Sequence, residues 1–115
     1  MSYKQRDIVL LPFPYTDLSA SKRRPALVVS GDAFNSSSED IVCCLITTNP
    51  LEDSLTVKLS NSDVESGQLH YESILKPYRL FTVDKKTVLK KLCALKKPKF
   101  GKVALKLKSL FSAAG

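Results

Sequence analysis

Ala26-Leu27-Val28-Val29-Ser30 and, after the ten residues Gly31 to Asp40, Ile41-Val42-Cys43-Cys44-Leu45-Ile46-Thr47 are two short apolar runs rich in β-branched side chains. Runs of this length and composition read as largely buried strands. The polar segment between them has room for one helical turn around Phe34, too little for the long helix of a parallel crossover. The chain is therefore expected to turn back on itself and pair its strands antiparallel.

The same reading extends outward from this pair. Upstream, Ile8-Val9-Leu10-Leu11 is a third apolar run, and Pro12 and Pro14 are expected to end it, because proline cannot donate to a sheet ladder. Tyr15 to Arg24 is polar and turn-rich and reads as a long exposed loop, with Pro25 leading into the next strand. Downstream, Thr48-Asn49-Pro50 stops the central strand. Leu55 to Leu59 alternates apolar and polar residues like a strand with one wet face, Asn61 to Gln68 is a turn region, and Tyr71 to Leu80 supports another strand. Val88 to Leu95 fits either a helix or a strand after a turn at Asp84-Lys85-Lys86. Beyond Pro98, residues Phe100, Val103, Ala104, Leu107, Leu110 and Phe111 recur at helical spacing, with proline placed near the first turn. Five or six closely spaced strands and a C-terminal amphipathic helix predict a mainly β (α+β) fold: a small, strongly bent sheet or barrel whose open face the helix covers.

With 115 residues, 43% hydrophobic and 25% charged, a single domain over residues 1–115 is expected, large enough to fold without a metal or disulfide staple. No apolar run approaches the ~20 residues of a membrane-spanning helix, and the first residues lack a secretory signal, so a cytoplasmic location is expected. Cys43, Cys44 and Cys93 have no metal-ligand spacing. Neighbours on a strand point to opposite faces, so Cys43 and Cys44 would not share a metal, and all three read as small apolar side chains in a reduced interior. No metal site and no cofactor are expected.

The net charge is +7, and it is unevenly spread. Lys76 to Lys108 contains twelve Lys or Arg and one acid, Asp84, which suggests a polyanion or an acidic partner segment. A solvated basic face explains the same density, and this reading is favoured for Lys102, Lys106 and Lys108. The familiar catalytic constellations are absent: the four glycines are scattered and the carboxylates form no pattern. Two strand mouths concentrate functional groups. Ser19, Ser21, Lys22, Arg23 and Arg24 precede one strand, where a guanidinium fixed at its base can grip a phosphate in bidentate fashion. Thr47, Thr48 and Asn49 follow another. Lone His70 and Asp84 are weak general acid/base candidates.

These segments carry a resemblance. Val9 to Leu18, followed by Ser21-Lys22-Arg23-Arg24-Pro25-Ala26-Leu27-Val28-Val29-Ser30, resembles the opening of the PemK/MazF toxin family. Ile46-Thr47 is similar to that family's strand ending in a catalytic threonine, and Leu80-Phe81-Thr82-Val83-Asp84-Lys85 to its later T-(I/V/L)-D-K block. The four blocks run in matching order along nearly the whole chain. The family usually has glycine before the first strand's aspartate, where this chain has Arg6.

The resemblance implies an SH3-like, PemK-type barrel of five to seven strands. It also implies the toxin half of a type II toxin–antitoxin pair, an endoribonuclease that cleaves single-stranded RNA without a metal. Arg24 and Thr47 would be catalytic, the Thr47-Thr48 doublet leaving the hydroxyl's register open by one residue. Ser19, Ser21, Lys22, Arg23, Thr48 and Asn49 would bind substrate, with Lys76 or Arg79 taking a further basic position, and Tyr15 or Phe13 would meet bases. The expected partners are RNA, a second copy in a homodimer, a cognate antitoxin with an acidic, partly disordered tail, and operator DNA when the antitoxin is bound. Two other readings stand beside it: a non-catalytic barrel that binds DNA or a protein target, as topoisomerase-poisoning barrels do, and an inactive regulatory relative.

Overall fold

Three prolines inside the sheet, Pro12, Pro25 and Pro77, shape how the strands pair. In the computed structural model, which describes residues 2–13, 22–49 and 51–113, strand β1 spans Asp7–Phe13 and β2 spans Lys22–Val28. Both are longer than the sequence suggests. Pro12 does not end β1; it pairs with Arg23. The Leu10 carbonyl faces strand β7 (Lys90–Leu95), accepting from the Leu89 N–H at 2.9 Å, so Pro12, two residues on, faces the same way. There β7 has already ended, its last pair being Leu10 with Lys90. The missing N–H of Pro12 therefore costs no ladder bond. Arg23 and Arg24, expected in a loop, lie within β2 for the same reason: β1 continues far enough to pair with them.

The remaining elements follow the apolar runs. Helix α1 is Asp32–Ser37, β3 is Asp40–Thr47, β4 is Val57–Leu59, β5 is Val64–Glu65 and β6 is Ser73–Asp84. Helix α2 is Lys97–Leu110. The ambiguous Val88 to Leu95 stretch resolves as strand β7, preceded by a 3-10 turn over Lys85–Thr87 that Asp84 caps by accepting from the Lys86 N–H at 2.8 Å. The seven strands form one antiparallel sheet in the order β4-β6-β3-β2-β1-β7-β5.

The sheet curls into a half-barrel, and the central strands are buried on both faces. Ile8, Leu27, Cys44, Ile46, Leu75 and Leu95 point to the inner face, where Val103, Phe100 and Leu107 of α2 pack over them. Val9, Leu11, Ala26, Val28, Ile41 and Cys43 point to the outer face, beneath Tyr3, Phe81 and Val88. Two-sided burial is why β1 and β3 read as continuous apolar runs instead of alternating ones. Cys43 and Cys44 fall in different layers, as strand alternation requires. The long β6 bends at Pro77: Cys44 pairs with Leu80 but Leu45 with Lys76, leaving three residues of β6 in a bulge where proline's lost donor is tolerated.

Helix α2 buries a narrower stripe than its spacing suggests. Val103 is fully enclosed, whereas Ala104 and Phe111 are exposed. Lys106 is not simply solvated, since its Nζ donates to the Ser54 carbonyl at 2.6 Å. No helix among the described residues is long and apolar enough to cross a membrane.

Candidate active site

The β2–β3 ladder opens at Pro25. Leu10 turns its carbonyl toward β7, so its partner across β1–β2, Pro25, turns its backbone nitrogen toward β3, and that nitrogen has no hydrogen to give. The last β2–β3 pair is Ala26 with Leu45. Continuing that register by two rungs sets Arg24 opposite Thr47, beyond the point where the ladder holds the strands together. The gap is a cleft of about 400 Å³. Leu10, Pro25, Ile46, Leu69 and Leu92 supply its apolar lining, and Arg24 and Thr47 are among the polar residues that line it.

Thr47 is buried and its hydroxyl oxygen accepts from the Asn49 N–H at 3.1 Å, a turn that fixes its rotamer. Asn49 in turn accepts from the Leu51 N–H at 3.1 Å, so its amide oxygen shapes the turn. Arg24 is half-buried, and its guanidinium has no hydrogen bond or ion pair among the described residues. Arg23, Thr48 and His70 also line the cleft. Ser19 and Ser21 lie outside the described residues, as do Tyr15 and the side chains of Phe13 and Lys22.

Lys76 and Arg79 do not line the cleft; they sit at the β6 bulge near Tyr78, whose hydroxyl donates to Asp53 at 2.9 Å. The Leu55 N–H, together with that bond and the nearby Lys76, holds the Asp53 carboxyl below its ordinary range. Asp84 is farther still. It pairs with Asp40, seven residues along β3 from Thr47, or roughly 23 Å at strand rise.

Four polar cleft residues escaped the sequence reading: Gln68, Tyr71, Ser73 and Lys90. Lys90 comes from β7, and the other three arrive by way of a crossing at Gly67. Its φ is +142°, and a Cβ there would stand 2.0 Å from the Leu92 carbonyl oxygen, so only glycine lets the chain pass so close over β7. Leu69 is buried and its N–H donates to the Asn61 side chain at 2.9 Å, which pins the segment and presents His70 and Tyr71 to the cleft. The glycine was visible in the sequence, but its close approach was not.

Among the described residues the cleft's cations are Arg23, Arg24 and Lys90, and no carboxylate lines it. It therefore attracts an anion and can hold it by a bidentate guanidinium beside a fixed hydroxyl. Among the described residues, no group of three or more His, Cys, Asp or Glu is placed to hold a metal ion.

Comparison with known proteins agrees with this fold. The chain is similar to an endoribonuclease from Mycobacterial species, with a TM-score of 0.75 at 18% identity over 95% of this chain and 90% of that one. It is also similar to MazF in a MazE-MazF crystal structure from Deinococcus radiodurans, with a TM-score of 0.77 at 22% identity over 96% of each chain. A third likeness is the Mycobacterium tuberculosis toxin MazF-mt6, with a TM-score of 0.74 at 15% identity over 92% and 96%. Among curated proteins no sequence matches. At these identities the structures speak for the fold, and the family is shown by a family model matching residues 4–111. With its half-barrel, its capping helix and that match, the chain belongs to the PemK-like, MazF-like toxins of type II toxin–antitoxin systems.

Proposed function

We propose that this protein is the toxin of such a pair and cleaves single-stranded RNA in the cleft between β2 and β3. The observation that supports this reading is the Pro25 gap, beyond which Arg24, with no partner among the described residues, shares an anion-attracting cleft with Thr47. The RNA supplies the nucleophile. The 2′-OH beside the scissile phosphate attacks phosphorus, a 2′,3′-cyclic phosphate forms, and the bond to the 5′-oxygen breaks, that oxygen leaving with a proton. Arg24 stabilises the charge that gathers on the phosphorane oxygens, where a preorganised donor is worth most. Thr47 holds the phosphate or the 2′-OH in line. No resident metal is needed for these steps.

A guanidinium stays charged and is a poor base. Of the two acid/base candidates in the sequence, His70 shares the cleft with Arg24 and Asp84 does not. We therefore assign the proton-accepting role to His70, since an imidazole can both take and return a proton near neutral pH. A similar mycobacterial endoribonuclease is seen in complex with its cognate antitoxin. An acidic antitoxin segment would suit the same cationic cleft, and binding there would block it.

The test is incubation of the purified protein with mixed-sequence single-stranded RNA in EDTA, beside Arg24→Ala, with the product ends sequenced. Discrete cuts by the wild type, ending in cyclic or 3′-phosphate, with the Arg24→Ala rate down about 10²–10³-fold, are expected. Less than a threefold loss with the fold intact overturns the role of Arg24. No cleavage across a broad pool overturns the enzyme and favours a barrel that binds a protein or DNA target.

A further inference from the structure

A second pocket, of about 650 Å³, lies immediately beside the cleft. Thr48 and Ser73 line both, so the two adjoin at this pair of hydroxyl residues. Their electrostatics are opposite. Where the cleft carries three cations and no acid among the described residues, the pocket carries Glu52, Asp63 and Glu72 against Lys58 and Lys99. Both lysines are already paired, Lys58 with Glu52 at 3.7 Å and Lys99 with Asp63 at 3.7 Å. Asp63 also accepts from the Ser60 N–H at 2.9 Å. Glu72 is exposed and has no hydrogen bond or ion pair among the described residues.

An unpaired carboxylate decides what can enter. A phosphate would meet like charge, whereas a neutral group with N–H donors would find a charged acceptor. Nucleobases are such groups, and in single-stranded RNA their edges are free to be read. Adenine, cytosine and guanine each present an exocyclic amino group. Uracil presents two carbonyls flanking one ring N–H, and carbonyls facing a carboxylate are repelled. The volume lies within the range of small-ligand sites and leaves ample room for one base. One residue earlier, Tyr71 is 74% exposed and lines the cleft, its carbonyl held by the Ser73 hydroxyl at 2.9 Å. An exposed ring beside a phosphate-holding surface is a stacking platform.

We propose that this pocket takes the base of a nucleotide next to the scissile phosphate. Glu72 selects an amino-bearing base over uracil, and Tyr71 stacks on the neighbouring base in the cleft. The inference rests on the ribonuclease reading above and adds the subsite that sets where the strand is cut.

The test separates the two. Wild type, Glu72→Ala and Tyr71→Ala are titrated with 2′-O-methyl hexanucleotides, which cannot be cut, differing at one position by cytosine or uracil. In parallel, cut sites in a randomised RNA are sequenced. Wild type is expected to favour an amino-bearing base at one position beside the cut by tenfold or more. Glu72→Ala should reduce that ratio below threefold while preferences at other positions persist. Tyr71→Ala should weaken binding about tenfold, and Tyr71→Phe should restore it. Because the chain contains no tryptophan, Tyr71→Trp gives a lone reporter whose emission should change on stacking. A base preference indifferent to Glu72→Ala, or uracil preferred at that position, overturns the pocket alone. Glu72-dependent preference without any cleavage overturns the ribonuclease alone, and wild type that binds no single strand overturns both.

Discussion

Arg6 and Leu95 hold each other twice: the Leu95 N–H donates to the Arg6 carbonyl at 2.7 Å, and Arg6 Nη1 donates to the Leu95 carbonyl at 2.8 Å. The double bond ties the start of β1 to the end of β7, just before the chain enters α2. It is made from a strained residue, since Arg6 has a φ of +83°, a conformation that suits glycine. Family members usually place glycine at this position, and the structure shows the backbone reason.

This chain has exchanged conformational ease for a side-chain tether that also reaches Glu65 at 3.2 Å. Arg6→Ala keeps the strain and loses the tether, so it should lower unfolding stability by about 1–3 kcal/mol. Arg6→Gly loses the tether but relieves the strain, and should be about 1 kcal/mol more stable than the alanine variant. Urea denaturation of the two variants decides it, and an alanine variant at least as stable as the glycine one would rule out strain at Arg6.

Two other glycines make opposite predictions. At Gly67 an added methyl meets the Leu92 carbonyl oxygen at 2.0 Å from a φ of +142°. Gly67→Ala should cost more than about 2 kcal/mol and, by displacing His70 and Tyr71, reduce cleavage further than the lost stability explains. Gly101 lies inside α2 with nothing within 4 Å of an added Cβ. Gly101→Ala should stabilise the protein by about 0.5–1 kcal/mol and leave cleavage alone. Thermal melts of both variants beside a cleavage assay provide the check, and a stabilised Gly67→Ala would contradict the close crossing.

Much of this fold could be read from residues 26–30 and 41–47, because β2 and β3 are buried on both faces and advertise it as unbroken apolar runs. Arg24 and Thr47 were singled out by the motif that contains them, and both line one cleft. What was not legible depends on neighbours distant in sequence. Pro12 reads as a strand terminator unless β7 is known to end one rung earlier. Lys90 reads as one of twelve basic residues in a dense stretch, yet it is the member of that stretch that lines the cleft, while Lys91 pairs with Asp7 and Lys99 with Asp63. Of the cleft's described cations, Arg23 and Arg24 lie outside that dense stretch and Lys90 lies within it.

The three thiols should be silent until the protein unfolds. Burial pushes Cys43 and Cys44 up to about 12 and Cys93 to about 11, so little thiolate exists in the native state near neutrality. A thiol reagent at pH 8 should label none of them natively and all three in denaturant. In the unfolded chain the thiols ionise near their ordinary value, so between about pH 9 and 11 unfolding releases protons that the folded state retains. Stability should fall as pH rises through that window, by at most about 1.4 kcal/mol per pH unit for each thiol. Urea midpoints from pH 8.5 to 10.5 measure the slope, which Cys43→Ala should make shallower; a level midpoint would mean the thiols are not desolvated.

His70 and Asp84 can be separated by one pair of variants. His70 lies with Arg24 and Thr47 in the cleft, whereas Asp84 caps the turn before β7 at the opposite end of β3. His70→Gln keeps a polar side chain of similar reach but cannot exchange a proton. It should lower kcat about 10²-fold or more with KM little changed. Asp84→Ala should cost about 1 kcal/mol of stability through the lost cap and leave kcat unchanged. A His70→Gln enzyme that keeps the wild-type kcat would remove the imidazole from the chemistry. Proton transfer would then fall to solvent, with Arg24 and Thr47 acting through charge and position alone.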